Sequence, residues 1–372
     1  MKQYAYGWIR VAVTAVTLWG LGLAGPGLDP ASASAATSDL AEPVGEVVTG
    51  EFSDERLPRT MKYGVLLPAG YETTDDRYPV LFQLYPGNPE SHRAIDRWKR
   101  HVELARLEGR LPEVIVITPA IDLSMYQDPQ GSGRVWEEAF AGPFLDHLSR
   151  EFRLWTDRPA FFATGLSAGG AISLRLGLKY PEKFGAIAVL APGIEAAASL
   201  DELTFEDTFW RPTNQYSGVD PEAWAAFHPL NIAKQNAERI RASGLDIYLE
   251  SGNADSFMLD RGTEAMHRLL SELGIGHTYH LRDGVDHHVG TIMVTRWQEA
   301  YGFLGDSMRD PPPEPIVSEF QATVDAVEAQ ARKGIPDDPQ INKLRMPIFA
   351  FSRRQLEIED EELDRRLEAA RR

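Results

Sequence analysis

The chain has 372 residues, a formal net charge of −17 and no cysteine. The lack of cysteine excludes disulfide staples, thiol catalysis and a lipid anchor through cysteine, and the acidic balance argues against nucleic acid and anionic membrane surfaces as partners. The length suits one large α/β domain with an appendage.

At the amino end, Lys2 and Arg10 accompany a largely apolar run, Val11 to Gly25, and Ala31-Ser32-Ala33-Ser34-Ala35-Ala36 offers small-residue cleavage sites. This is the layout of an export signal, taken as residues 1–35. The run is short for a bilayer span, which needs about 20 apolar residues. The expectation is a secreted or periplasmic protein with no stable membrane insertion after cleavage. Residues 36–54 read as a polar lead-in with room for an edge strand, and the main body is expected over 55–310. Met61 to Leu67, Tyr78 to Leu84 and Glu113 to Thr118 are candidate strands, and Tyr85-Pro86-Gly87-Asn88 follows the second of them.

Gly165-Leu166-Ser167-Ala168-Gly169-Gly170 lies between an apolar run from Pro159 to Thr164 and an apolar stretch from Ala171 to Tyr180. Strand, sharp turn and helix in that order are the setting of a nucleophilic serine at the top of an α/β-hydrolase sheet, and the glycines relieve a turn too tight for side chains. Gly193 to Asn231 is longer than a crossover requires and holds Phe205, Phe209, Trp210, Tyr216, Trp224 and Phe227. It either overhangs Ser167 as part of a substrate pocket or packs as a surface insertion. Trp98, Tyr126 and Trp136 are weaker pocket candidates.

Leu245 to Glu250 reads as a buried strand running into Ser251-Gly252-Asn253-Ala254-Asp255. Met266, Leu269, Leu270 and Leu273 then mark a helix that Gly274 ends, and a strand from His277 to Leu281 leads into Asp283-Gly284-Val285-Asp286-His287-His288-Val289-Gly290. A serine, an acid and a histidine thus follow three strand ends in the chain order of this fold. Asp255 is the first candidate for the acid and Asp260 the second. Asp286 is too close to His287 in sequence to reach its ring. The base is His287 or His288.

In that chemistry a neutral imidazole removes the Ser167 proton during attack on an acyl carbon and passes it to the leaving group, the acid orients the imidazole, and water repeats the cycle. The oxyanion needs two N–H donors. Ala168, after the nucleophile, supplies one, and the loop after the Tyr78 to Leu84 strand supplies the other, from Asn88 or else Gly87, since Pro86 has no N–H. No His-Glu-x-x-His spacing is present, so neither a metal nor a cofactor is expected. The other seven histidines read as surface or supporting residues.

Together, the Tyr78-Pro79-Val80-Leu81-Phe82 strand with its glycine loop, the Gly165 to Gly170 elbow, Tyr180-Pro181-Glu182-Lys183-Phe184-Gly185, Gly252 to Asp255, and Gly284-Val285-Asp286-His287 resemble the esterase D group of serine esterases. That group includes feruloyl and acetyl-xylan esterases, enterochelin esterases, S-formylglutathione hydrolases and secreted mycolyltransferases. Over about residues 55 to 306 the resemblance implies an α/β-hydrolase with a mostly parallel, doubly wound sheet. It matches Ser167, Asp255 and His287 to nucleophile, acid and base, and Asn88 with Ala168 to the oxyanion donors. Three positions after the loop glycine is the family's place for the base, which leaves His288 facing outward or supporting the loop. Many members have His-Gly or Asp-Gly where this chain has Pro86-Gly87. The activity implied is hydrolysis of a small-molecule or carbohydrate ester. Acyl transfer of the mycolyltransferase type uses the same triad, and an idle binding protein of the same fold is opposed by the intact triad.

Pro311-Pro312-Pro313-Glu314-Pro315 reads as a stiff linker. Residues 316–372 are expected to be a helical extension, with a stripe of Val317, Phe320, Val324, Val327 and Ala331 and a last helix from Arg353 carrying Leu356, Leu363 and Leu367. It packs on the body or on a second subunit, which makes a homo-oligomer one expectation.

Overall fold

Val80-Leu81-Phe82-Gln83-Leu84 is apolar at four of five positions, and all five residues are buried. A strand of this kind belongs inside a parallel sheet covered on both faces. The structure, a computed structural model, describes residues 45–85, 89–122, 125, 132–156, 159–202, 220–288, 290–309 and 348–372, the side chains of 132, 291 and 348–354 apart. The expected export signal, the Pro311 linker and the Val317 to Ala331 stripe lie outside the described residues.

The strands are β1 (Val47–Phe52), β2 (Met61–Leu66), β3 (Val80–Leu84), β4 (Ile115–Pro119), β5 (Phe161–Leu166), β6 (Phe184–Leu190), β7 (Asp246–Gly252) and β8 (Thr278–Arg282). They form one sheet in the order β1-β2-β4-β3-β5-β6-β7-β8, antiparallel at β1/β2 and β2/β4 and parallel elsewhere. The strands expected from the sequence fall within two residues of these bounds. The sheet begins at Val47, inside the stretch read as a lead-in, because Val47 to Phe52 pair along the whole of β2.

The helices are α1 (Ile95–Leu107), α2 (Ser132–Ala139), α3 (Leu145–Glu151), α4 (Ala168–Lys179), α5 (Pro221–Phe227), α6 (Pro229–Ser243), α7 (Leu259–Glu272), α8 (Gly290–Met308) and α9 (Ile348–Ala370). Alternation along the strands divides the core into two layers. Val80, Phe82, Leu84, Ile115 and Ile117 pack with α2, α3, α4, α6 and α7. Leu81 and Val116 point the other way, toward Trp98 and Val102 of α1 and Trp297 and Tyr301 of α8. Beyond α1 and α8 lies a third layer, where Leu363 and Leu367 of α9 pack on Leu104 and Val294. The last helix therefore uses its apolar stripe on the body of its own chain.

The chain leaves β3 through α1 on one face and leaves β5 through α4 on the other. Neighbouring parallel strands whose connections diverge open a crevice at their carboxyl ends, where open α/β sheets bind ligands. That crevice lies between Leu84 and Leu166.

Trp98 and Trp136 are core residues rather than pocket walls. Trp98 meets Trp297 edge-on with ring centroids 4.9 Å apart, and Trp136 is 1% exposed. Phe82 sits at the centre of the larger layer, its ring 5.0 Å from Phe140 and 5.9 Å from Phe161. Phe82→Ala is expected to lower stability by about 3–5 kcal/mol through the lost transfer energy and the residual cavity, read as a shift in the urea unfolding midpoint.

Candidate active site

The turn after β5 is built by close approach. A Cβ at Gly165 would lie 2.4 Å from the carbonyl carbon of Gly169, and one at Gly170 would lie 3.0 Å from the carbonyl oxygens of Gly165 and Leu190. Both sites need glycine because backbone, not a movable side chain, fills the space. Between them Ser167 takes φ 57° and ψ −121°, a conformation that costs a non-glycine residue about 1–3 kcal/mol and gathers at functional sites. Its N–H donates to Leu190 O at 3.0 Å, and its carbonyl accepts from Ala171 at 2.9 Å and Gly193 at 2.9 Å. As the first residue of α4, Ala168 carries an N–H that the helix itself has no acceptor for.

Among the described residues, the other non-glycine residues at positive φ are Ala191 and Met258. Ala191 follows β6, and Met258 precedes α7 just beyond β7. All the strained positions thus lie beyond the carboxyl ends of adjacent strands.

Asp255 stands three residues after β7 with its side chain fully buried. One carboxylate oxygen accepts the Phe257 N–H at 2.8 Å, and the other is 2.8 Å from His287 Nδ1. This fixes the imidazole with Nδ1–H toward the carboxylate and Nε2 free to accept a proton. Asp260, the second candidate for the acid, lies in the first turn of α7 and has its carboxyl pushed up by burial and then by the Asp255 charge. The acid–histidine pair is made by Asp255. Among the described residues no hydrogen bond joins Ser167 Oγ to His287 Nε2, a contact that commonly tightens only when substrate binds.

The His287 backbone is held as firmly as its ring. Asp286 Oδ1 accepts the N–H groups of His287, at 2.6 Å, and Ser256, at 2.7 Å, so this carboxylate ties the loop after β8 to the loop after β7. Arg296 Nη1 donates to the His287 carbonyl at 2.9 Å, while its Nε donates to Glu250 at 2.8 Å. Glu250 also accepts from Arg282 at 3.0 Å, which in turn pairs with Glu299. Phe257 lies against the His287 ring, centroids 4.7 Å apart. His288 points elsewhere, its Nε2 3.1 Å from Glu359 of α9.

Several expectations need correction or lie out of view. Of the seven histidines read as surface or supporting residues, His92, His101 and His228 are buried. His228 lies against Trp224, ring centroids 4.6 Å apart, and is pushed down to about 3 by burial, so it stays neutral. Trp224 is itself buried, and Phe227 lies 3.6 Å beneath the Arg175 guanidinium. Asn88, Gly87, Tyr126, Phe205, Phe209, Trp210 and Tyr216 lie outside the described residues. Arg296 and Glu359 escaped the sequence reading because nothing in their spacing signals a link to His287. Among the described residues no group of three or more His, Asp or Glu side chains is arranged to hold a metal.

The family described as "Putative esterase" matches residues 54–299. Among solved structures, the chain is similar to a ferulic acid esterase, at 20% identity and a TM-score of 0.55, over 72% of this chain and 99% of that one. It is also similar to an S-formylglutathione hydrolase from Agrobacterium tumefaciens, at 17% identity and a TM-score of 0.55, over 73% of this chain and 98% of that one. A third is the fluorophosphonate-binding serine hydrolase F of Staphylococcus aureus, at 17% identity and a TM-score of 0.53, over 72% and 99%. Comparison with curated sequences gives no match. With an α/β-hydrolase sheet and a family match over most of its length, the chain belongs to the esterase family and is a carboxylic ester hydrolase.

Proposed function

We propose that the protein is an exported serine esterase that works through an acyl-enzyme on Ser167, with His287 as base and Asp255 as its orienting acid. The observation that carries this is the strained Ser167 on the same sheet edge as an imidazole held 2.8 Å from a buried carboxylate.

His287 Nε2 takes the Ser167 proton as Oγ bonds to the acyl carbon, and the negative charge passes to the former carbonyl oxygen. The Ala168 N–H and a donor from the loop after β3, assigned to Asn88, receive that oxyanion. Collapse breaks the bond to the alcohol oxygen, which takes the proton from the imidazolium, and Asp255 stabilises the imidazolium meanwhile. Water then attacks the acyl carbon, giving its proton to His287, and Ser167 leaves with it. The substrate is a small-molecule or carbohydrate ester, the small-molecule class being in keeping with the ferulic acid esterase among the similar structures, and no cofactor takes part. Export rests on the layout of residues 1–35. Among the described residues no helix is long and apolar enough to cross a membrane.

Three measurements test this reading. A fluorophosphonate probe should add one label, at Ser167, and Ser167→Ala should lose both label and ester turnover by at least ~10³-fold; a label on another serine refutes the assignment. His287→Ala should abolish acylation, again by ~10³-fold or more, and His288→Ala should lose far less; the reverse pattern makes His288 the base. Activity toward p-nitrophenyl and feruloyl esters should survive exhaustive chelation, whereas loss with EDTA and recovery with zinc would assign the histidine pair to a metal.

A further inference from the structure

The helix α9 lies wholly beyond the family match, which ends at residue 299. Its contacts with the body are of two kinds. On the rim, Arg100 pairs with Asp360 and Asp364, Arg366 with Glu108, and Arg371 with Glu103, all through partly solvated side chains. Such pairs contribute little each. Glu359 is different: its side chain is 1% exposed, and it is the one buried acidic residue of α9 among the described residues.

Three groups converge on the Glu359 carboxylate. Arg97 Nη2 lies at 2.7 Å and His101 Nε2 at 3.2 Å, both from α1, and His288 Nε2 lies at 3.1 Å from the loop that carries His287. Burial by itself would raise this carboxyl, but the His101 and His288 rings facing it, with the Arg97 charge behind them, hold it well below the usual carboxylate range. It therefore stays charged at neutral pH. One turn earlier, Gln355 Oε1 accepts the N–H of Gly290, at the start of α8. A Cβ at Gly290 would come 2.2 Å from the Gln355 carbonyl, so backbone meets backbone here. Two successive turns of α9 thus grip the segment directly after His287 at residues 288 and 290.

A buried carboxylate is a poor device for gluing a helix down, because desolvation offsets much of its attraction. Leu363 and Leu367 already provide apolar contact. What Glu359 adds is direction: it sets the side chain next to the base. The His287 ring is aimed by Asp255 and its carbonyl is held by Arg296, while His288 and Gly290 beyond it face Glu359 and Gln355 of α9.

We propose that Glu359 is a positioning residue for the esterase reaction, holding His288 and with it the loop that aims His287 at Ser167. The proposal rests on the assignment of His287 as base, and it makes α9 part of the active-site frame rather than an outlying appendage. Misplacement of a catalytic group by about 1 Å costs about 10²-fold in rate. In the full chain, Glu359→Gln is expected to lower kcat by about 10- to 100-fold, with KM little changed and the far-ultraviolet spectrum near wild type. Asp364→Asn, on the rim of the same helix, should leave kcat unchanged. If Glu359 acts through His288, the double variant Glu359→Gln/His288→Gln should lose no more than the worse single variant. Glu359→Asp, which keeps the charge but withdraws it, gives a second reading if Glu359→Gln does not fold, and it too should lower kcat rather than raise KM. Wild-type kcat in a folded Glu359 variant, or additive losses in the double variant, would overturn the proposal. Retained turnover in Ser167→Ala or His287→Ala would instead refute the underlying assignment, independently of Glu359.

Discussion

The close approach of Gly165 to Gly169 is the constraint on which the site depends. Helix α4 can start directly after β5 because Gly165, near the end of that strand, has no Cβ, which would otherwise lie 2.4 Å from the Gly169 carbonyl carbon. That contact forces the turn to be completed in one residue, and Ser167 takes the strained conformation that results. Hydrogen bonds to Leu190 and from Gly193 hold it there against relaxation. The same geometry delivers the start of α4, with its unused N–H groups and positive dipole end, to the place where the proposed reaction develops negative charge on an acyl oxygen. One steric contact thus fixes both the proposed nucleophile and one proposed oxyanion donor.

Behind the site the protein buries charge instead of hydrocarbon. Glu250 lies near the end of β7, side by side with β8, and Arg282 and Arg296 share its two oxygens at 3.0 and 2.8 Å. Replacing buried ion pairs by apolar residues is often neutral or stabilising. The network is better understood through what it points at. Arg296 has a second hydrogen bond, to the His287 carbonyl, so the position of the proposed base is referred to a buried residue of β7. Asp286 performs the matching task on the other side by joining the His287 and Ser256 N–H groups. Loop residues so braced behave as extensions of the sheet, which suits a side chain that must meet both a carboxylate and a serine.

The carboxyl-terminal helix continues this logic outward. It covers α1 and α8 with a short apolar stripe and a set of charges complementary to theirs, and it inserts a single buried carboxylate where those helices approach the histidine loop. Two layers of helix on one face of the sheet give α8 the environment its sequence requires, since Ile292 to Trp297 are all buried. An α8 covered on one side only would leave part of that run to water.

Much of the frame was legible in the residues. Largely apolar runs such as Val80 to Leu84 suit the inside of a parallel sheet, and Gly165 to Gly170 between a strand and a helix dictates a tight turn with a serine at its apex. Chain order then places Asp255 and His287 after later strands of the same sheet, and these are short-range properties set by local sterics and periodicity. The choice of Asp255 over Asp260 as partner of the histidine, the role of Asp286 as a backbone brace, and the separate directions of His287 and His288 were decided only by tertiary structure. They depend on which loops the strand order β6-β7-β8 sets side by side. Arg296 and Glu359 are the clearest cases: each is an ordinary charged residue on a helix, 9 and 72 positions from His287, and it is burial against that loop, a property of the folded chain alone, that gives its charge a purpose.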